Sequence, residues 1–299
     1  MKNRFFFAIN KLAMVQDFTL HTHTIEFDGK NSAAEMIAAA RDAGFKTIGI
    51  SNHFIVHPEI QRTKMYGAAV ARGYNTIYNT SFDEALEKFK PHYEDLSRLQ
   101  AQNPDMRILR GMEVDYFPST QWHDGFARSY EILKPDYLIG AAHFVEYGGT
   151  ICNVHDMAMV DAKTRDEMLK IYWENVSRLG NVGLFNWLAH LDLPRKLGLG
   201  VSKKWADIHE DTVVSIANSH TPVEINTSGF RFDSAQPYPC NEIQKMLAAY
   251  HVPVLLSDDA HNVNQIGLKF DIAEKLLREN GIKNTLSLQK VLDFREKRL

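Results

Sequence analysis

The sequence has little of the material from which several protein classes are built. Only two of its 299 residues are cysteine, Cys152 and Cys240, which is too few for a disulfide scaffold or a zinc ribbon. A reducing, cytoplasmic setting is therefore expected. The 34 basic residues are outnumbered by 37 acidic ones, which leaves a formal net charge of −3. Because nucleic-acid binding favours a basic surface, we expect no nucleic-acid partner.

Long apolar runs and internal repeats are also lacking. No stretch approaches the ~20 apolar residues of a membrane span, so no membrane partner is expected. The first 16 residues, MKNRFFFAINKLAMVQ, contain an apolar block, but Asn10 and Lys11 interrupt it and no small-residue cleavage site follows. We do not interpret this segment as a signal peptide. No linker divides the sequence, and we predict a single domain over residues 1–299.

Seven short apolar runs, rich in β-branched residues, alternate with segments of helical periodicity. This alternation is typical of parallel βαβ units. The runs expected as strands cover residues 18–21, 46–51, 107–114, 136–143, 183–190, 222–226 and 253–259. Seven strands with intervening helices predict an α/β fold of the (β/α)7 barrel type, similar to a TIM barrel. A doubly wound open sheet is the alternative.

Capping residues and glycines mark several helix boundaries. A capping box formed by Ser32 and Glu35 opens an alanine-rich helix, which Gly44 is expected to end. A second box at residues 81–84 precedes a helix in which Pro91 is expected to introduce a kink. Apolar residues at helical spacing predict two further helices, over residues 161–180 and 262–281.

Side chains able to bind metal ions stand at or just beyond the ends of these strands. Active sites of β/α barrels are built at the carboxyl ends of the strands, so the positions are those of a site. Of the seven runs, only residues 222–226 have no obvious ligand. The candidate ligands are His21, His23, Asp28, His53, Glu113, His143, His190, Asp259 and His261.

A lone histidine at a strand end is more often a hydrogen-bonded structural residue than a metal ligand. Here, however, six of the 13 histidines fall at strand ends. A cluster of imidazoles and carboxylates is costly to bury unless something neutralises it, which favours a metal site. Nine ligands exceed the needs of one ion and predict two or three divalent ions that share a carboxylate. Imidazole and carboxylate donors without thiolate favour Zn²⁺, Mn²⁺ or Fe²⁺.

An ordered set of motifs resembles the polymerase and histidinol phosphatase (PHP) family over residues 17 to about 265. The motifs are HTHTxxxDG, SNH, GMEVDY, GAAHFV, AHLDLPRK, EINTSGFR and SDDAH. The chain is most similar to the monofunctional histidinol-phosphate phosphatases, which act in histidine biosynthesis. The resemblance implies a distorted (β/α)7 barrel and a metal-dependent hydrolase with a small phosphorylated substrate. Amidohydrolases share the HxH motif, but their pattern has a lysine at the fourth strand. In this chain the fourth predicted strand ends in His143 and has no lysine there.

What the resemblance implies for the ligands is a trinuclear site with Glu113 as the bridging carboxylate. In SDDAH the family pattern D-x-H selects Asp259, so that Asp258 is expected to orient a ligand or a backbone turn. The first ion would be held by His21, His23, Glu113 and Asp259, the second by Glu113, His143 and His190, and the third by Asp28, His53 and His261.

Two arginines just past the fifth and sixth strands are candidates for binding phosphate. A guanidinium can hold two phosphate oxygens in a planar fork, and the positions of Arg195 and Arg231 agree with the histidinol phosphatase pattern. We predict both as catalytic and substrate-binding residues, with Lys196 as an outer helper. The mechanistic hypothesis is attack on phosphorus by a metal-bridging hydroxide, in line with the leaving alkoxide.

Histidinol also carries an ammonium group and an imidazole, so an acidic residue near the rim is expected to recognise it. Asp115, Glu146 and Glu224 are candidates, and each could equally be a solvated carboxylate or one that orients a ligand. The sequence departs from a typical family member in residues 1–16 and in residues 56–81. The second segment is rich in Tyr, Arg and Gly and is expected to cap the site.

Three other functions remain open from the sequence. The first is hydrolysis of another small phosphate ester, such as a sugar phosphate or a nucleotide, because the metal chemistry is indifferent to the leaving group. The second is the proofreading exonuclease activity found elsewhere in the PHP family, which the charge balance does not favour. The third is metal storage without catalysis, which would not require the two arginines.

Overall fold

The fold is built on the seven apolar runs that the sequence marks as strands, each of which contains a strand of the barrel. The structure, a computed structural model, describes residues 16–73, 75–200, 202–232 and 236–296. The prediction for the segment 1–16 therefore lies outside the described residues, except at Gln16. The strands are β1 (Phe18–Thr19), β2 (Thr47–Ile50), β3 (His53–Val56), β4 (Tyr78–Asn79), β5 (Arg107–Asp115), β6 (Tyr137–Ala141), β7 (Phe144–Tyr147), β8 (Thr150–Asn153), β9 (Trp187–Leu188), β10 (Val223–Asn226) and β11 (Val254–Ser257).

The strands form a nearly closed parallel barrel. Their order is β1-β2-β5-β6-β9-β10-β11. The strand β3 follows β2 along the same barrel position, and both pair in parallel with β5. The two outer strands approach each other where Thr22 forms a parallel bridge with Ala260. The side-chain amide of Gln16 donates to the carbonyls of Phe18 and Leu256, at 2.8 Å each, and so links the same two edges. The predicted (β/α)7 barrel is confirmed, and the open sheet is wrong.

Helices surround the barrel and connect its strands. They are α1 (Ala33–Ala43), α2 (Lys64–Arg72), α3 (Phe82–Gln102), α4 (Thr120–Leu133), α5 (Ala162–Asn181), α6 (Ala206–Ser219), α7 (Asn241–Ala249), α8 (Phe270–Glu279) and α9 (Leu288–Glu296). The predicted capping box at Ser32 and the left-handed Gly44 bound α1. Helix α3 continues through Pro91, which therefore does not end it.

The helix predicted over residues 262–281 is shorter than expected. A single 3-10 turn covers Val263–Gln265, and the α-helix begins only at Phe270. Gly267 and Lys269 both adopt positive φ angles, 64° and 60°, which are incompatible with a continuous right-handed helix. The apolar periodicity extends across this break, and the prediction of one long helix is wrong for that reason.

Two apolar clusters hold the barrel. The larger one packs the helices against the outside of the sheet. The smaller one comes from alternate strand positions and fills the interior, where the rings of Tyr137 and Trp187 stack with centroids 5.1 Å apart. At the amino ends of the strands, Asn186 donates to backbone carbonyls of α9, including that of Val291. The interior is therefore filled and covered at one end, which leaves the carboxyl end for a site.

We expect that changing Gly111 to Ala lowers the free energy of unfolding by about 1–3 kcal/mol, as overpacking of a filled core does. A methyl group at Gly111 would overlap the ring of Tyr137, which is fully buried and stacked on Trp187. Denaturant unfolding followed by circular dichroism measures the change. The control is Gly67→Ala in α2, where the new methyl group meets open space. It should leave stability unchanged or raise it, and equal stability of both variants would contradict the packing described.

Candidate metal centre

All nine predicted ligands meet at the carboxyl end of the barrel. They come from segments far apart in the sequence, and the parallel strands bring their ends to one rim. His53 is the first residue of β3, and its register pairs it with Glu113 on β5. The remaining ligands follow strands or lie in the first loop. The cluster, hereafter the metal-ligand cluster, comprises His21, His23, Asp28, His53, Glu113, His143, His190, Asp259 and His261.

The carboxylate of Glu113 lies at the middle of this cluster and is fully buried. Its Oε1 atom faces two imidazole nitrogens, and its Oε2 atom faces three others. The distances from Oε1 are 3.0 Å to His190 and 3.6 Å to His143. Those from Oε2 are 2.9 Å to His53, 3.3 Å to His21 and 3.5 Å to His23. Each oxygen thus faces its own set of nitrogens, which is the arrangement a bridging carboxylate requires.

Within the described residues, three groups have donor atoms close enough together to hold one ion each. They are His23, Asp28, His53 and His261; then His21, His23 and Asp259; and lastly His53, Glu113 and His143. The first group contains the complete predicted third set and adds His23. The third group joins Glu113 to His143 as expected, with His53 in place of His190. His190 still contacts Glu113 Oε1, so all nine residues belong to one connected cluster.

Many donor and acceptor atoms in the cluster lie opposite one another without forming hydrogen bonds. Among the described residues, no hydrogen-bond partner exists for these buried atoms: His21 Nε2, His23 Nδ1 and Nε2, His53 Nδ1, Asp28 Oδ1 and Glu113 Oε2. A buried polar atom without a partner is expensive, and so many in one place require an explanation. Divalent ions fit it, because these nitrogen and oxygen atoms are the donors that such ions bind.

The electrostatics of the cluster show how strongly its groups depend on one another. Burial would raise the pKa of Glu113, but the surrounding imidazoles, led by His53 and His21, hold it well below the ordinary value. Burial would lower the pKa of His21, but Glu224 and Glu113 raise it well above. For His23, burial and the neighbouring His261 lower the pKa to about 4, so that its ring stays neutral and free to bind metal.

Asp115 and Glu224, for which the sequence left more than one role open, orient histidines of the cluster. Glu224, on β10, accepts from His21 Nδ1 at 2.9 Å and from the backbone of His190 at 3.0 Å. Asp115 accepts from the backbone nitrogen of His143 and lies 2.9 Å from its Nδ1. Such contacts fix the ring orientation and direct the other nitrogen into the cluster. The run 222–226, for which the sequence showed no obvious ligand, thus contributes an orienting carboxylate, which is one of the roles considered for Glu224.

Asp258 holds a backbone turn, which is one of the two roles expected for it. Its Oδ2 atom accepts from the backbone nitrogen of Gly267 at 2.6 Å, and its Oδ1 atom accepts from the Thr19 hydroxyl. The carboxylate therefore joins the end of β11 to β1 and to the turn before α8. This contact fixes the segment that carries Asp259 and His261.

A cavity of about 510 Å³ opens beside the cluster. This volume lies within the range of small-molecule sites. Arg231 and Lys196 bring positive charge to its wall, while Met65, Ile77 and Tyr78 come from the segment 56–81. The expectation that this segment caps the site agrees with its position at the wall. The lining also includes Asn153, His155 and Phe144 from the β7–β8 hairpin and its exit, and Ser228, Phe232, Tyr238 and Gln265.

The two predicted arginines have different surroundings. Arg231 lines the cavity, and its Nη2 atom donates to the backbone oxygen of Asp259 at 3.1 Å, while its buried Nε atom has no partner among the described residues. Arg195 is buried outside the cavity lining. Its Nε atom donates to Asp192 at 3.0 Å, and its Nη2 atom donates to the carbonyl of Pro237 at 2.6 Å. This position does not support the predicted phosphate contact of Arg195.

The acidic residues considered for recognising an ammonium group are placed as follows. Asp115 hydrogen-bonds to His143, and Glu224 hydrogen-bonds to His21 and to the backbone of His190. Glu146 is exposed on the β7–β8 hairpin, 3.8 Å from His57, and is not part of the cavity lining.

Among the helices that the structure describes, none combines the length and apolarity needed to span a bilayer.

Comparison with known proteins identifies relatives of the same kind. The PHP domain family model matches residues 17–228. A Schizosaccharomyces pombe protein named probable histidinol-phosphatase is 33% identical over 295 residues, covering 90% of this chain and 89% of that protein. A Deinococcus radiodurans protein with the same name is 27% identical over 208 residues, covering 68% of this chain and 77% of that protein.

A solved structure shares the fold. Histidinol phosphate phosphatase from Lactococcus lactis, crystallised with zinc, L-histidinol and phosphate, superimposes with a TM-score of 0.65. The match covers 91% of this chain and 95% of that one, at 16% sequence identity. At this identity the similarity establishes the barrel fold.

We expect that changing Glu113 to Gln reduces the number of divalent ions bound per chain. The amide keeps the shape of the side chain but loses the negative charge that faces two sets of histidines. Metal content after dialysis against trace zinc, measured by inductively coupled plasma mass spectrometry, reports the loss. Glu87→Gln, an exposed position on α3, is the control and should retain the full content. Equal metal content in both variants would refute a central role for Glu113.

Proposed function

The chain belongs to the PHP domain family, and on that premise we propose that it hydrolyses L-histidinol phosphate to L-histidinol and inorganic phosphate. This would be a step of histidine biosynthesis. The observation that carries the proposal is the metal-ligand cluster centred on Glu113, which opens onto a cavity with two cationic side chains. The names of the relatives support the choice of substrate.

We propose that the cluster holds two or three divalent ions, with Zn²⁺, Mn²⁺ and Fe²⁺ as the candidates. The unpartnered imidazole and carboxylate atoms support this assignment, and thiolate is absent from the cluster. Bound ions would supply Lewis-acid chemistry, which polarises phosphoryl oxygens and makes water nucleophilic near neutral pH. The chain's own contribution is to orient the ligand rings through Glu224 and Asp115.

Arg231 and Lys196 are proposed to bind the phosphate group. Arg231 already contacts Asp259 through Nη2, which leaves its Nε atom directed at no other group among the described residues. Lys196 lines the same cavity, with its ammonium 5.7 Å from the centre of the Phe232 ring. Charge-assisted hydrogen bonds from two cations would stabilise the negative charge on the phosphoryl oxygens. In this proposal Lys196 has the phosphate-binding role that the sequence predicted for Arg195.

The cavity wall supports an organic group of modest size beside the phosphate. Met65, Ile77 and Phe144 offer an apolar surface to an imidazole ring, and Asn153 adds a polar group. The lining carboxylates, Asp28 and Asp259, both belong to the metal-ligand cluster. A cavity of this composition favours a small phosphate ester over a polymer.

Steady-state hydrolysis after reconstitution with Mn²⁺, Zn²⁺ or Fe²⁺ tests the proposal directly. We expect kcat/KM for L-histidinol phosphate to exceed that for sugar phosphates and nucleotides by about 10- to 100-fold or more, as discrimination through pocket contacts allows. Similar slow rates on all esters would leave a phosphoesterase of another small substrate. Retention of metal without turnover of any ester would contradict the assignment as an enzyme and favour metal storage.

The charge of Lys196 should make kcat/KM depend on pH on the alkaline side. Burial lowers its pKa from the ordinary value to about 8. The ammonium is therefore present below about pH 8 and is lost above it, so kcat/KM should fall as the pH rises through this value. Arg stays charged throughout, and Lys196→Arg should move the decline to higher pH.

The matched control for this pH profile is Lys204→Arg. Lys204 is exposed and paired with Asp166 at 2.7 Å, well outside the cavity lining. Its replacement should leave the profile unchanged. An unchanged decline in both variants would show that another group sets the alkaline limb.

A further inference from the structure

Tyr238 combines complete burial with a free hydroxyl at the wall of the cavity. Its side chain is 1% exposed, and its hydroxyl has no hydrogen-bond partner among the described residues. The residue lines the cavity together with His190, Lys196 and Arg231, and its ring centroid lies 6.4 Å from that of His190. Tyr238 therefore shares this cavity wall with His190, a member of the metal-ligand cluster, and with both cations.

Other buried tyrosines of the barrel do not leave their hydroxyls free. Tyr93, Tyr137 and Tyr172 each donate to a backbone carbonyl, those of Gly111, Leu20 and Leu191 respectively. A buried hydroxyl without a partner destabilises the folded chain, so such a group is unusual in a packed interior. In a residue that lines a cavity, such a hydroxyl leaves a hydrogen bond for a ligand to complete.

The position of Tyr238 is fixed by its backbone and by Arg195. The backbone nitrogen and oxygen of Tyr238 form two hydrogen bonds with those of Asn226 at the end of β10, at 2.7 and 2.8 Å. The guanidinium of Arg195 lies 4.7 Å from the centre of the Tyr238 ring and also donates to the preceding carbonyl, that of Pro237. Asp192 completes the support, because its Oδ2 atom accepts from Arg195 and from the backbone of Cys240.

We propose that the Tyr238 hydroxyl donates a hydrogen bond to a non-bridging oxygen of the bound phosphoryl group, and that Arg195 is a positioning residue that holds the ring in place. This inference rests on the proposed function, because it requires a phosphate ester in the cavity. It gives Arg195 a role that agrees with its buried contacts. It also adds a neutral donor to the cations Lys196 and Arg231 on the same wall.

The test is Tyr238→Phe in the metal-reconstituted protein, with inorganic phosphate as the probe. We expect the inhibition constant for phosphate to rise about 10- to 100-fold, the effect of losing one hydrogen bond to a charged acceptor. Binding of phosphate by titration calorimetry measures the same loss without turnover. Thermal stability should not fall, because the substitution removes a hydroxyl that has no partner in the described structure.

Tyr172→Phe is the matched control. It also removes one buried hydroxyl, but this hydroxyl donates to the carbonyl of Leu191 outside the cavity. It should lower the melting temperature and leave phosphate binding unchanged. Tyr238→Phe should thus weaken phosphate binding without loss of stability, and Tyr172→Phe should do the reverse. If Tyr238 had a purely structural role, Tyr238→Phe would instead lower the melting temperature and leave phosphate binding unchanged.

The choice of ester separates the Tyr238 inference from the proposed function. Nitrophenyl phosphate releases a phenolate that needs no protonation, so a contact with a phosphoryl oxygen must affect its hydrolysis too. Loss of kcat/KM on histidinol phosphate alone would place the contact at the leaving oxygen and overturn our inference. If the unsubstituted protein binds phosphate but rejects histidinol phosphate, the proposed function fails while the calorimetric test of Tyr238 still decides.

The role of Arg195 is tested by combining Arg195→Met with Tyr238→Phe. If Arg195 acts through the tyrosine, the double variant should bind phosphate no more weakly than the weaker single variant. Additive losses would mean that Arg195 touches the phosphate itself and would contradict the positioning role. Should Arg195→Met fail to fold, the result for Tyr238→Phe alone still decides the central contact.

Discussion

The buried carboxylate of Glu113 is the constraint on which the rest of the site depends. Five imidazoles lie within 3.6 Å of its two oxygens. A carboxylate so deeply buried is stable only with compensating positive charge. Neighbouring carboxylates raise the pKa values of His21 and His53 well above the ordinary one, which favours positively charged rings beside Glu113. Divalent ions bound there would take the same place, so metal binding and the charge state of the cluster would be coupled.

The barrel supplies the geometry that this constraint demands. The register of β3 on β5 sets His53 beside Glu113, and the closure at Thr22 and Ala260 brings the last strand to the first. Interior packing of Tyr137 keeps the strands in place below the cluster. The same strands thus carry the interior apolar side chains and the candidate ligands, but at different positions. The apolar layers lie toward the amino ends, and the ligands lie toward the carboxyl ends.

Much of this could be predicted from the sequence, since strand ends and metal-binding side chains are local patterns. The partners of each side chain could not. Arg195 and Lys196 are adjacent in the sequence, and only the three-dimensional fold shows which of them faces the cavity. The sequence left Glu224 open between recognising an ammonium group and orienting a ligand, and only the fold shows that it lies beside His21. The positive φ of Lys269, which delays the start of α8, has no signal in the apolar periodicity.

The most direct test of the account is crystallography of the metal-reconstituted protein, with anomalous scattering collected at the absorption edge of the bound element. The account predicts anomalous peaks inside the metal-ligand cluster, with both oxygens of Glu113 within bonding distance of ions and Glu224 still hydrogen-bonded to His21. Peaks confined to exposed surface residues, with the cluster free of metal, would contradict the central claim that these nine side chains form a metal centre.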